Sequence, residues 1–192
     1  MLRPLAPSDS FLQHALDDAR AADVTYGEAG ATCSAELPAG YRIDRYEQRL
    51  GSGEECFERA VGALQRWQAQ IGAGIRIVPS GATVEDGATV LFVVRTFGLW
   101  TVLPCRVVYV VEEGSRFAFG YGTLPGHLER GEVAMSVARE EGGVVARIVS
   151  FSQAVDPLAR AARPLSRRAQ TRFTNGYLDA LETASGVQPA RP

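Results

Sequence analysis

The sequence contains no lysine: all twenty of its basic residues are arginines. A Schiff-base lysine, a phosphate-loop lysine and a lysine general base are therefore excluded. Histidine is almost as scarce, with His14 and His127 alone, and the three cysteines, Cys33, Cys56 and Cys105, form no C-x-x-C pair. That supply is too thin for a structural zinc site, so no metal and no cofactor are expected, and free thiols fit a reduced, cytoplasmic compartment. Long apolar runs are missing too. Leu99 to Val111 is broken by Pro104 and Arg106, and the first twenty residues carry Asp17 and Asp18. Neither a signal peptide nor a membrane anchor is expected. A net charge of −2 and a pI near 5.8 leave no basic excess for a dedicated nucleic-acid binder. There is no G-x-S-x-G serine motif, and Cys105 lies in an apolar strand as a core residue.

What is present suffices for one substantial core, since 46% of 192 residues are hydrophobic. The expected organisation is an N-terminal arm over 1–23, a single domain over 24–185 and a disordered tail over 186–192. The arm holds a short helix around Phe11 to Ala21, and Gly/Pro punctuation follows it through Gly40 at the start of the domain. Tyr41 to Leu50 reads as an edge-like strand. Ser52-Gly-Glu-Glu55 has the form of a capping box, opening a helix with Phe57, Ala60, Val61, Leu64, Trp67 and Ile71 on one stripe until Gly72.

The period then changes to two. Strands are expected at Ile75–Val78, Thr89–Thr96, Trp100–Val111, Arg116–Tyr121, Glu132–Arg139 and Val144–Phe151, joined by short turns in an antiparallel meander. Asp156-Pro157 signals a helix start, with an apolar face from Leu158 through Phe173, Tyr177 and Leu181 to Ala184. Pro164 falls inside that pattern and predicts a kink, and Gly186 ends it. The fold class is thus α+β: a seven-stranded antiparallel sheet wrapped on a long C-terminal helix, the helix-grip arrangement, with room for a small ligand between them.

The densest chemistry lies in Arg116 to Glu132. Phe117, Phe119 and Tyr121 alternate on one face, Pro125-Gly126 turns the chain, and His127, Glu129, Arg130 and Glu132 follow within six positions. An imidazole beside two carboxylates suits general base catalysis or divalent-metal ligation. The competing reading is a hairpin connection in which His127 bonds backbone and the glutamates pair with Arg130 or water. Arg95 and Arg106 interrupt apolar strands beside Tyr109 and Tyr121, to anchor an anionic ligand, to bridge to Glu47 or Glu112, or to sit at the lip with the guanidinium reaching solvent. Gly120, Gly122, Gly126 and Gly131 open no helix, so they read as bulge and turn residues rather than a phosphate loop. Arg160, Arg163, Arg167, Arg168 and Arg172 read as the solvated face of the last helix, with partner docking as the alternative.

These strings carry a resemblance. Val107-Val-Tyr-Val-Val, Phe119-Gly-Tyr-Gly-Thr-Leu-Pro-Gly-His, Glu129-Arg-Gly-Glu132, Ser150-Phe-Ser, Tyr26-Gly-Glu-Ala-Gly-Ala-Thr32 and Leu37-Pro-Ala-Gly-Tyr41 are similar to uncharacterised protein family 0548, from about Val24 to Leu181. The chain departs from that pattern at Leu128, where the family often has proline, and at Val133, where it often has glutamate. Position 133 therefore supplies no carboxylate here. The resemblance implies a START/Bet v 1-like fold and brings no reaction with it. The expectation for function is a small-molecule-binding protein whose candidate ligand residues are Arg95, Arg106, Tyr109, Tyr121, His127, Glu129 and Glu132. The alternatives are a hydrolase, isomerase or cyclase using His127 with Glu129 or Glu132, and a protein-interaction module.

Overall fold

The computed structural model describes residues 1–96, 98–154 and 163–186, with side chains in the last segment from residue 171 onward. Its elements are β1 (Leu2–Arg3), α1 (Asp9–Ala21), β2 (Arg42–Gly51), α2 (Glu54–Gln65), α3 (Gln68–Gly72), β3 (Arg76–Val78), β4 (Thr89–Thr96), β5 (Leu99–Glu113), β6 (Arg116–Thr123), β7 (Glu129–Glu140), β8 (Gly143–Ala154) and α4 (Arg163–Ser185). A 3-10 turn, Ala31–Cys33, precedes β2. The strands form one antiparallel sheet in the order β2-β8-β7-β6-β5-β4-β3, with the two-residue β1 pairing beside β5. The first two long strands of the domain therefore lie at or toward opposite edges, and α2 and α3 cross between them.

Period-two alternation divides the sheet into two apolar faces. On the inner face Phe92, Phe117, Phe119, Tyr121, Met135 and Ile148 meet α2, α3 and α4. On the outer face Leu91, Val93, Val102 and Leu124 meet Leu12, Ala15, Leu16 and Ala19 of α1. Residues 1–21 thus run along the back of the sheet, with Ser8 capping α1 by accepting from the Phe11 N–H at 3.2 Å. Covering both faces is why β4 and β6 read as near-continuous apolar runs.

The helix after β2 differs from its sequence expectation in two ways. Ser52 does not cap it. The N-cap is Gly53, at φ 89°, with no side-chain bond, and Glu54 and Glu55 complement the helix dipole instead. Nor does the stripe continue to Ile71, which is 48% exposed. The helix stops at Arg66 and Trp67 adopts a left-handed conformation, φ 57°. That conformation costs roughly 1–2 kcal/mol for a non-glycine residue, whereas burying an indole contributes on the order of 4–6 kcal/mol by area. Burial wins: Trp67 is fully buried, edge-on to Phe92, Phe119 and Tyr121 at 5.3–5.8 Å.

The last helix is described from Arg163, so Pro164 lies in its first described turn, and the residues that would show a kink or break ahead of it lie outside the described ones. The Asp156-Pro157 start and the tail beyond Gly186 lie outside the described residues. Gly186, at φ 84°, closes the element. Gly72 and Gly176 let α3 and α4 approach closely: a Cβ on Gly72 would lie 2.5 Å from Ala180 Cβ, and one on Gly176 3.0 Å from Ala73 Cβ. Among the described residues no helix is long and apolar enough to cross a membrane.

Candidate functional site

The glycine-rich stretch and its acidic end build a site on the outer face. Glu132, in β7 opposite Gly122, is 1% exposed. Its carboxylate accepts from Tyr26 Oη at 2.7 Å, from the Gly30 N–H at 2.7 Å, from the Thr32 N–H at 2.9 Å and from the Thr32 hydroxyl. The two N–H groups start the 3-10 turn and would otherwise be unpartnered. Four donors from the described residues thus solvate a buried carboxylate.

Around it Thr32 Oγ1 meets Tyr109 Oη at 2.9 Å, and Thr25 Oγ1 meets Thr123 Oγ1 at 2.6 Å. Burial pushes the Tyr109 phenol up to about 12. The Tyr26 phenol is pushed far above its usual range, first by burial and then by Glu132.

Glycine is required here by close approach. A Cβ on Gly122 would stand 2.0 Å from Tyr26 Oη, one on Gly120 2.3 Å from Tyr109 Cε1, and one on Gly131 2.0 Å from Phe151 O. Gly120 and Gly122 are therefore the floor under two tyrosine rings. The β-bulge sits on β5, between Val107 and Tyr109, where it turns Tyr109 to the outer face.

His127 occupies a different place. Leu124-Pro125-Gly126-His127 is a type II turn, with Gly126 at φ 92° and the His127 N–H donating to Leu124 O at 3.1 Å. The half-buried ring is tied to the Glu129 backbone, Nδ1 lying 2.8 Å from its O and 3.0 Å from its N. Burial, then the nearby N-terminal ammonium, pushes the imidazole down to about 4. Its bonds run to backbone, while Glu132 is committed to Tyr26, Gly30 and Thr32. Glu129 is half-buried, and Arg130 bonds Gln153 at 2.8 Å. Among the described residues no group of three or more His, Cys, Asp or Glu side chains is arranged to hold a metal ion.

The remaining sequence candidates also disperse. Arg95 is exposed at the end of β4. Arg106 bridges neither to Glu47 nor to Glu112; its guanidinium donates to Thr89 Oγ1 at 3.1 Å and to the Ala19 and Arg20 carbonyls at 3.0 and 3.1 Å. It caps the C-terminus of α1, where a positive charge and a donor are both favourable. Arg172 is exposed, and the other arginines of that series have no described side chain. Tyr121 points to the inner face.

There it joins residues that sequence reasoning assigned only to packing stripes or passed over. Gln70, on α3, is fully buried, and its Nε2 donates to Met135 Sδ at 3.1 Å. Among the described residues, Gln70 Oε1 and Trp67 Nε1 are both buried without a hydrogen-bond partner. Burial pushes the Tyr121 phenol well up, and burial also raises Tyr177 and Cys105. The available signal was a polar Gln70 three residues after Trp67, within an otherwise apolar helix face. Two hollows among the described residues lie elsewhere. One, of about 350 Å³, is lined by Phe11, His14, Pro104 and Pro125; the other, of about 360 Å³, by Pro79, Glu85 and Thr89. On the inner face Trp67 packs against Phe92, Phe119 and Tyr121.

The sequence pattern of a family described as a domain of unknown function (DUF1990) matches residues 25–180. A UPF0548 protein of Deinococcus radiodurans is 36% identical, with 97% of this chain and 98% of that protein aligned. A UPF0548 protein of Arabidopsis thaliana is 32% identical over 74% of this chain and 72% of its own. Among solved structures, a Thermus thermophilus protein superposes with a TM-score of 0.53 at 14% identity, covering 75% of this chain and 97% of that one. The di-domain ARO/CYC BexL from the BE-7585A biosynthetic pathway also reaches 0.53 at 14% identity, covering 79% of this chain and 52% of its own. At such identity these structures speak for the helix-grip fold alone.

Proposed function

We propose that this chain, which belongs to the DUF1990 family and is a relative of the UPF0548 proteins, is a small-molecule-binding protein acting in the cytoplasm. Its ligand sits on the inner face of the sheet, against the junction of α2 and α3 and beneath α4. The observation that carries the reading is the pair of atoms buried and unpartnered among the described residues, Trp67 Nε1 and Gln70 Oε1. Buried polar groups are normally satisfied, and leaving one unmade costs about 1–3 kcal/mol. Of the sequence candidates, Tyr121 lies within reach of this ligand, whereas the Glu132 cluster holds the 24–33 segment to the back of the sheet. The negative net charge supports a ligand other than nucleic acid.

The test is native mass spectrometry of the protein purified gently from its own host, beside the Trp67→Phe variant. A bound small molecule present in the wild type and depleted in the variant is the expected result. A molecule retained equally by both would place binding elsewhere, and a bare mass for both, with no change on adding a host metabolite extract, would refute the reading.

A further inference from the structure

We propose that the hollow between α1 and the 124–127 turn is a second binding site, on the outer face, for an organic ammonium ion with an apolar body. Asp18 and His14 take the cationic head. The volume, about 350 Å³, falls within the range of small-ligand sites. This site stands apart from the inner face and does not depend on a ligand there.

Helical spacing builds one wall. Residues 11, 14, 15, 18 and 19 follow at intervals of three and four, so their side chains share one flank of α1, and all five line the hollow. Phe11, Ala15 and Ala19 make that flank apolar, and Pro104 of β5 and Pro125 of the turn complete the lining. Both sides are held in place. Leu12 and Leu16 anchor α1 in the outer apolar cluster, and Arg106 bonds the Ala19 and Arg20 carbonyls. The Leu124 N–H donates to Pro104 O and the His127 N–H to Leu124 O, both at 3.1 Å. Walls fixed before binding lose little ordering entropy when a ligand enters.

The polar side chains on this flank are acceptors. His14 Nδ1 lies 2.7 Å from Ser10 O; a carbonyl only accepts, so Nδ1 carries the proton and the neutral ring keeps Nε2 as an acceptor. Asp18 brings a carboxylate one turn further on, within reach of the same head group, since side chains four apart on a helix are neighbours. That carboxylate stands in the last turn of α1, where the helix dipole disfavours a negative charge. Arg20, the cation of the same turn, donates to the neighbouring acid, Asp17, at 3.2 Å. The Met1 ammonium beside the hollow is held by Val102 O and Gly126 O, both at 2.7 Å. A ligand ammonium donates to both acceptors and offsets the charge at the helix end, while its apolar body covers the alanines and prolines.

NMR titration at about pH 8, where imidazole in water is neutral, tests this with three matched probes: 4-phenylbutylamine, 4-phenylbutan-1-ol and 4-phenylbutanoate. The amine should move the amides of α1 and Gly126 together with the His14 ring signals, and bind at least about fivefold tighter than the alcohol. The carboxylate should bind more weakly than the alcohol. In Asp18→Asn, a change at an exposed position, the amine should bind no tighter than the alcohol, whose own affinity should stay the same. Equal binding of amine and alcohol, tighter binding of the carboxylate, or an amine preference retained in Asp18→Asn would each overturn the assignment. Shifts confined to Trp67 and Gln70 would also overturn it, placing the probe on the inner face and speaking for that site alone. The absence of any shift at the hollow up to about 5 mM amine would overturn the site itself and leave the inner-face reading standing.

Discussion

Tyr26 Oη donates to Glu132 Oε2 at 2.7 Å across 106 residues of sequence, on the face of the sheet opposite Tyr121. This bond joins the two most distinctive strings of the chain, Tyr26 to Thr32 and Gly120 to Glu132. It identifies their shared task as closing one segment over the back of the sheet. Removing the carboxylate leaves four donors inside. Glu132→Ala is expected to cost about 3–5 kcal/mol in urea unfolding, and to raise amide exchange at Gly30 and Thr32 before the rest of the domain. A cost below about 1 kcal/mol would show that the donors find water instead.

The floor beneath that tyrosine gives a sharper test. Gly122→Ala places a methyl where Tyr26 Oη now stands, and overpacking of this kind costs about 1–3 kcal/mol. In a Tyr26→Ala background the same change should cost almost nothing, because the clash has gone. A double-mutant cycle with no coupling would contradict the contact.

His127 makes stability depend on pH in a definite direction. Its folded pKa, about 4, lies below the unfolded value near 6.5, so the folded state resists a proton that the unfolded chain accepts. The histidine contribution is fully present above pH 6.5, declines as pH falls from 6.5 to 4, and changes no further below that. Its size is about 1–3 kcal/mol once the partial exposure of the ring is allowed for. The expected signature is a fall in unfolding free energy over that window, reduced in His127→Gln. An unchanged profile in the variant would assign the fall to the carboxylates.

Arg106 holds the C-terminus of α1. Arg106→Met keeps much of the apolar stem and removes the guanidinium, so the expected loss is about 1–2 kcal/mol, with faster amide exchange over residues 15–21. Exchange unchanged in α1 would mean that its apolar face alone secures it.

Trp67→Ala should cost about 3–5 kcal/mol, since it empties the middle of the inner face. Its loss of ring contacts should also broaden the Phe92, Phe119 and Tyr121 resonances. A loss below about 1 kcal/mol would refute the packing.

The order and type of the elements were legible in the sequence because periodicity is a local property. The alternation of Phe117, Phe119 and Tyr121, and the stripe from Phe57 to Leu64, follow from geometry within one strand or one helix. Uncharacterised family 0548 was legible in contiguous strings for the same reason. Three things needed the tertiary structure. Tyr109 reaches the outer face because a bulge shifts the register of β5 against β6, and alternation counted along one strand carries no record of its partner. Glu132 is a buried anchor rather than a neighbour of His127 because its donors lie a hundred residues upstream, where the 3-10 turn offers two unpartnered N–H groups. Trp67 leaves the helical stripe because the inner face holds a space that its ring fills, and the free energy of burying it exceeds the strain of a left-handed backbone. Local spacing determined the elements; which face each side chain meets, and what waits there for it, was decided by long-range packing.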